Sequence, residues 1–351
     1  MAFLSFEDVG IIGISACVPK NIFDNKDLES ILGTEELDKV VKSIGIKQMR
    51  HVEEGVTPSD LCFHAATKLL DDLGEDRSEI DVVLFLSQNA DYKVPATSPS
   101  LQHRLGLPTS TACLDLNLAC SGYVYALSTA YAYARMPSIN KVLLLVGETF
   151  SQMVSKKDKV NAPLYGDAGT ATLISKGNFG KSQFSLYSDG SGLEAFKIEA
   201  GGAKHPANEE TIKLREMEKS NFRTAHQVFM NGLDVFNFTL KVVPKSIKEA
   251  LKISNNDNDT IDYFVFHQAN KFMLDFFQKK LKLPDEKVPL SLDIFGNVSS
   301  ASIPLTIVTK LKNQIAAEDR KILLSGFGAG LSWATAIIQT SSCKVSKLVE
   351  I

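Results

Sequence analysis

Short apolar runs of strand length alternate along the chain with longer segments of helical period. Residues 9–17 read as a first strand, loosened by Gly10 and Gly13, and 25–41 as a charged helix. Thr57-Pro58-Ser59-Asp60 opens a helix to about Leu73, with proline where a missing N–H costs nothing. Residues 80–87, 113–118 and 141–147 read as buried strands. Among them stand a short helix over 98–105 and a helix over 123–135, stopped by Met136-Pro137. Strands follow at 168–174 and 182–187, then a polar, glycine-led excursion over 199–222 with no core face. The pattern then predicts a helix over 228–251 interrupted at Pro244, a strand over 261–266 and a helix over 271–283. Strands at 321–326 and 332–339 close the chain. Such alternation indicates an α/β fold of layered, mostly buried strands.

Internal repetition sharpens this picture. Glu79-Ile80-Asp81-Val82-Val83-Leu84-Phe85, with a helix ending Leu105-Gly106-Leu107-Pro108, has a partner later on. That partner is Thr260-Ile261-Asp262-Tyr263-Phe264-Val265-Phe266, with a helix ending Leu281-Lys282-Leu283-Pro284. A strand over 142–147 followed by Gly166-Asp167-Ala168-Gly169-Thr170-Ala171-Thr172 likewise matches 322–326 followed by 328–335. The pairs come in the same order, so the chain divides into two similar halves, 1–176 and 177–351. The alternative is chance likeness between generic α/β units.

Composition adds mainly exclusions. A chain of 351 residues, 44% hydrophobic and 23% charged, is ordinary globular protein. A net charge of −3 gives no signal for nucleic acid or a membrane surface. Five cysteines, an odd count irregularly spaced, argue against a disulfide framework and for a reducing compartment. The opening Met1-Ala2-Phe3-Leu4-Ser5-Phe6-Glu7 has no basic stretch before a long apolar one, and no run is long enough to span a bilayer. The expectation is a cytoplasmic protein. No Cys/His spacing suits zinc, and Gly326-Phe327-Gly328-Ala329-Gly330 lacks the rest of a nucleotide-binding fingerprint.

Chemistry centres on Leu118-Ala119-Cys120-Ser121-Gly122. Cys120 falls between a strand and a helix, where unpaired N–H groups and the positive helix end favour thiolate. It reads as a nucleophile or, in the plainer alternative, as a buried cysteine filling a small gap. His267, in Phe266-His267-Gln268-Ala269-Asn270, ends a strand of the second half. Asn297 lies in a turn opening a helix. Two halves packed face to face could bring these polar strand ends to one cleft. The remaining histidines, His51, His64, His103, His205 and His226, read as surface or core fillers, and Asp167 and Asp189 as turn formers.

Four motifs in register carry a resemblance: Ala119-Cys120-Ser121-Gly122, His267-Gln268-Ala269-Asn270, Gly296-Asn297-Val298-Ser299-Ser300-Ala301-Ser302 and Gly326-Phe327-Gly328-Ala329-Gly330-Leu331-Ser332-Trp333. With Tyr165-Gly166-Asp167-Ala168-Gly169 and Ser188-Asp189-Gly190 they resemble β-ketoacyl-acyl-carrier-protein synthase III, a family of fatty acid biosynthesis. The resemblance implies a thiolase-like, five-layered αβαβα fold of two pseudo-repeated halves, a homodimer and no cofactor. It implies that Cys120 takes an acyl group from a coenzyme A or carrier thioester. His267 and Asn297 would polarise the carbonyl of a malonyl-carrier thioester during decarboxylative Claisen condensation. The backbone N–H groups of Cys120 and Ala329 would form the oxyanion hole, although the family often has glycine at the position of Ala329. Phe327 and Trp333 read as packing residues.

The resemblance also has departures. The family's adenine-sandwiching Trp and Arg align with Lys39 and Lys159, and Lys159 has no planar face to stack. A second basic position aligns near Ser43. The Asn that reaches the pantetheine arm aligns near Leu233, and the aromatic that closes the acyl pocket across the dimer aligns with Val94. These departures predict a donor other than a short acyl-coenzyme A, or one gripped differently. Lys271, Lys279, Lys280 and Lys282 make the helix after His267 basic, which suits either solvation or an acidic carrier protein. Two other functions stay open: acyl transfer to a hydroxyl or amine, and an inactive structural partner of a synthase. A thiolase fits less well, because its second cysteine would sit near the C-terminal glycine loop and Cys343 lies beyond that loop's strand.

Overall fold

The computed structural model describes residues 2–217 and 221–351. Two sheets stand face to face. The first has seven strands; its main path runs Lys344–Val345, Val9–Val18, Asp167–Lys176, Lys141–Thr149, Val82–Leu86, Ala112–Leu116, with Val349–Glu350 also pairing along Val9–Val18. The second has five, in the order Ala2–Phe6, Ser182–Ser188, Ser332–Gln339, Lys321–Gly328, Tyr263–Phe266. Pairing follows one rule in both. A parallel pair, Val82–Leu86 with Lys141–Thr149 or Tyr263–Phe266 with Lys321–Gly328, adjoins an antiparallel strand and then a second one. The repeats read from the sequence are thus repeats of topology. The fold is the thiolase-like α/β arrangement of five layers.

Helix periodicity assigns the layers. Gly122–Ala134 and Ser302–Lys310 are apolar around most of their circumference and lie between the sheets. They share one core with Val142, Leu144 and Val146 of the first sheet and Ile322 and Leu324 of the second. Pro58–Leu73 covers the outer face of the first sheet, burying Leu61, Ala65 and Leu69 against Leu143 and Leu145. Gly232–Ile253 and Lys271–Leu281 cover the outer face of the second, with Ile247 and Phe277 packed among Phe264, Phe266 and Leu323. Thr57 caps its helix reciprocally with Asp60, as the Thr-Pro-Ser-Asp spacing predicts.

Local details depart from the sequence reading. The helix expected over 25–41 is broken at Gly33, whose φ of +78° admits few other residues, and resumes as Thr34–Ile44. Residues 228–230 form a strand paired with Phe196–Ile198, and the helix begins only at Gly232, where Asn231 caps it. Pro244 does not interrupt that helix. It is buried beside Val243 and Ile247, and packing there outweighs one lost backbone hydrogen bond. The strand expected to be buried over 113–118 is Ala112–Leu116, a sheet edge, with Leu114 exposed. The excursion over 199–222 carries a short ribbon of Arg215–Glu216 with Phe222–Arg223. Among the described residues no helix is long and apolar enough to cross a membrane.

Gly169 marks a close approach of the outer helix to its sheet. A Cβ there would stand 2.5 Å from the backbone of Leu61 and Cys62. Gly169→Ala is expected to destabilise the protein by about 1–3 kcal/mol, read as a lower denaturation midpoint at unchanged slope.

Candidate active site

Cys120 follows the edge strand Ala112–Leu116 and precedes the helix Gly122–Ala134 by two residues. Its side chain is 7% exposed. The floor opposite is the strand Lys321–Gly328 of the other sheet. A Cβ on Gly328 would lie 2.8 Å from Cys120 Cβ, and one on Gly326 2.9 Å from Ser121 Cα, so glycine alone lets these two backbones meet. Ser121 Oγ and Ser332 Oγ, 2.7 Å apart, fasten the same contact.

His267 ends the strand Tyr263–Phe266, where its N–H donates to the carbonyl of Ser325. Ser302 Oγ lies 2.8 Å from Nδ1, and Phe327 meets the ring edge-on at 5.3 Å between centroids. Burial lowers the imidazole pKa to about 3, against a weaker upward pull from the Ser299 backbone. The ring is therefore neutral across the physiological range. Asn297 is held by its backbone, with its N–H donating to Leu164 O and Gly166 N–H donating to its carbonyl. Its Oδ1 accepts the N–H of Ser299 at 2.9 Å. That bond assigns the amide orientation and leaves the NH₂ for the cavity.

Cys120, His267, Asn297 and Ala329 line one cavity of ≈ 90 Å³, completed by apolar walls including Leu164, Tyr165, Phe196, Met230 and Phe327. Residues far apart in sequence, drawn from both halves, thus converge on the thiol. Ala329 keeps a φ outside the left-handed region, while Gly330 takes a φ of +140°, so alanine is tolerated at the position where glycine is common. Phe327 both packs and lines the cavity, whereas Trp333 stacks on Tyr187 outside it. A second cavity of ≈ 320 Å³, with Leu118, Phe150, Met153 and Ile198 in its wall, shares Phe196 and Ala329 with the first. A cleft of ≈ 660 Å³ shares Met230 and Gly232 with it.

Helix position alone does not give Cys120 a low pKa. Burial pushes the thiol up to about 12, and the Ser299 hydroxyl, 3.6 Å from Sγ, pulls it down by less. Desolvation in the buried site outweighs the helix dipole. Asp167 is not a turn residue either. It begins the strand Asp167–Lys176 fully buried, accepts the N–H of Val52 and of Ser151, and is pushed up to about 6 by burial. Asp189 does cap a turn through Ser191. His51 is no bystander, since Nε2 lies 3.0 Å from the carbonyl of Tyr165 in the cavity wall.

The residues marked for donor binding lie outside the site cavity. Lys39 is exposed and paired with Glu35 at 2.6 Å. Leu233 is 66% and Val94 85% exposed. Lys159 donates its backbone N–H to Asn221, and its neighbours Asp158 and Val160 line the ≈ 660 Å³ cleft. Lys271 pairs with Asp275 at 2.6 Å, and Lys279 and Lys280 are exposed in the last turn of their helix. Among the described residues no cluster of His, Cys, Asp or Glu could hold a metal ion. Sequence reasoning missed Glu148, Ser299 and Ser302, which hold the site from behind. The legible signal was an ionisable residue on the apolar-facing side of the 141–147 strand and a serine-rich turn.

Comparison with known proteins agrees with this geometry. Residues 114–190 match the family model described as 3-oxoacyl-[acyl-carrier-protein (ACP)] synthase III, and 251–340 match the model for its C-terminal part. The chain is 31% identical to beta-ketoacyl-[acyl-carrier-protein] synthase III of Fusobacterium nucleatum, over 95% of this chain and 99% of that one. It is 33% identical to the protein of that name from Rhodopirellula baltica, again over 95% and 99%. The crystal structure of 3-oxoacyl-(acyl-carrier protein) synthase from Burkholderia xenovorans superposes with a TM-score of 0.93 at 36% identity, covering 100% of this chain and 99% of that one.

The neutral state of His267 has a direct check. Its ring NMR signals are expected not to titrate between pH 5 and pH 9, the range in which a free imidazole does. Because the unfolded imidazole binds its proton near 6.5 and the folded one near 3, stability is expected to fall as pH drops through that window.

Proposed function

Since this chain belongs to the β-ketoacyl-acyl-carrier-protein synthase III family, we propose that it joins an acyl-Cys120 intermediate to a malonyl-carrier thioester by decarboxylative Claisen condensation. It is an acyltransferase of the condensing type. The observation that carries the reading is the convergence of Cys120, His267, Asn297 and Ala329 on one small cavity, with the amide NH₂ of Asn297 left free to donate into it.

The chemistry runs in two stages. Cys120 sulfur attacks the thioester carbonyl of the donor, and the N–H groups of Cys120 and Ala329 stabilise the oxyanion. The carbon–sulfur bond of the donor then breaks, and its thiolate leaves with the proton given up by Cys120. The malonyl thioester next places its carbonyl against His267 and Asn297. In the tautomer in which Ser302 donates its hydroxyl to Nδ1, the imidazole proton sits on Nε2, free to face that oxygen. Loss of CO₂ leaves an enolate held by the two donors. Its carbon attacks the acyl-Cys120 carbonyl, the C–S bond breaks, the 3-oxoacyl thioester departs, and the Cys120 thiolate takes up a proton from solvent to restore the thiol. A neutral imidazole suits this role, since it donates a hydrogen bond without yielding a proton to the enolate. The intact trio favours this reading over acyl transfer to a hydroxyl or amine, and over an inactive partner subunit.

In the same reading the protein is a cytoplasmic homodimer, its halves are 1–176 and 177–351, and Lys271, Lys279 and Lys280 dock the acidic carrier. The reading is tested by intact-mass measurement after exposure to acyl donors. Wild-type protein and Cys113→Ala are expected to gain one acyl mass, and Cys120→Ala none. Acyl uptake by Cys120→Ala at the wild-type rate would place the nucleophile elsewhere.

Donor identity follows from the departures. The cation–π platform for adenine is replaced by two lysines, one already paired with Glu35. The arm-binding Asn is replaced by exposed Leu233, and a smaller Val94 leaves room for a longer or branched chain. The ≈ 320 Å³ cavity beside Ala119 and Ala329, with Leu118, Phe150, Met153 and Val228 among polar residues such as Gln88 and Lys197, offers that chain a place. Longer acyl-coenzymes A or acyl-carrier thioesters are therefore expected to acylate Cys120 faster than acetyl-coenzyme A. A clear preference for acetyl-coenzyme A in that rate comparison would restore the ordinary initiating role.

A further inference from the structure

Glu148 is a fully buried carboxyl that the two-stage chemistry does not use. Its place follows from strand alternation. Along Lys141–Thr149, Val142, Leu144 and Val146 face the central core, and Leu143 and Leu145 face the outer helix. Gly147 faces outward too, since a Cβ on it would meet Cys62 Sγ and Pro58 O at 2.7 Å. The next side chain therefore turns inward, to the layer that holds the site. There Oε1 accepts the hydroxyl of Ser300 at 2.8 Å and Oε2 accepts the N–H of Gln88 at 3.2 Å. Ser300 belongs to the turn that carries Asn297 and Ser299, and Ser299 Oγ touches Cys120 Sγ at 3.6 Å. Ser299 holds a φ of +48°, a conformation costly for serine that its surroundings must enforce.

We infer that Glu148 is a positioning residue: through Ser300 and Ser299 it sets where Asn297 and the Cys120 thiol stand, and its ionisation state modulates how readily that thiol becomes thiolate. The titratable groups coupled to it are Asp167 on the adjoining strand, Cys62 on the outer helix and Cys120 itself, and all three can carry only negative charge. Burial foremost, with Asp167 adding, pushes the carboxyl up to about 8, while bonds from Ser300, Gln88 and Ser299 pull it back. Below that pH the neutral acid adds nothing to the burial that already opposes thiolate formation. Above it, a buried negative charge stands beside the thiol and raises its pKa. The same carboxyl thus ties loop geometry to thiol reactivity.

The inference rests on Cys120 as the nucleophile, but its test needs no acyl donor for one arm. Carbamidomethylation of Cys120 by iodoacetamide is followed at peptide level from pH 6 to pH 10. The wild-type log rate is expected to rise with pH and to flatten near pH 8. Glu148→Gln should match wild type near pH 6.5 and exceed it by about threefold or more at pH 9, its own slope showing no break. In the second arm, Ser300→Ala keeps the charge and cuts the link to the loop. It should retain the break but slow single-turnover condensation from preformed acyl-enzyme by roughly tenfold. A rate ratio independent of pH, or wild-type condensation in Ser300→Ala, overturns the inference. Should Glu148→Gln not fold, the wild-type profile decides that arm, and a constant slope through pH 8 overturns it. Failure of every donor to acylate Cys120 would instead count against the functional reading, because alkylation reports on the thiol alone.

Discussion

Everything at the site depends on how closely the strand Lys321–Gly328 of one half approaches the turn at Cys120 of the other. Two α/β units usually meet through side chains, about 10 Å between layers. Here Gly326 and Gly328 let backbone meet backbone, and the Ser121–Ser332 contact fixes the register. Only at that distance can N–H groups from two remote segments, at 120 and 329, border one small cavity. The oxyanion hole in the proposed reaction is thus a property of the seam, owned by neither half.

The seam also explains the electrical character of the site. A cavity of ≈ 90 Å³ with mostly apolar walls strengthens each hydrogen bond made to a developing charge. The same dryness raises the resting thiol and silences His267 as an acid–base group. The free protein therefore keeps its nucleophile protonated and its imidazole neutral. Polar support comes from the second tier, Ser302 behind His267 and Ser299, Ser300 and Glu148 behind Asn297 and Cys120.

Legibility in the sequence tracked range. Strand and helix alternation, the doubled topology and the trio of Cys120, His267 and Asn297 could be read from apolar runs and four motifs, because each is a local pattern repeated in order. Pro244 and the edge strand Ala112–Leu116 could not, since packing partners distant in sequence decide whether a proline is tolerated or a strand is covered. Cys120 shows the limit most clearly. Its local context argues for a low pKa, and burial reverses this through the close approach of the strand at Gly326 and Gly328, more than 200 residues away. Asp167 was misread and Glu148 missed for the same reason, as strand residues whose hydrogen-bond partners lie on other elements.

The end strands cross over between the halves. Ala2–Phe6 lies on the second sheet beside Ser182–Ser188, and Lys344–Val345 and Val349–Glu350 lie on the first beside Val9–Val18. During synthesis, Ala2–Phe6 waits unpaired until Ser182–Ser188 emerges, and the first sheet keeps an open edge at Val9–Val18 until Lys344–Val345 and Val349–Glu350 emerge. Cutting the chain between the halves would leave the first fragment carrying one strand of the second sheet and the other fragment carrying two of the first. The doubled topology therefore does not make two separable modules; the crossed ends make assembly a single late event with high contact order.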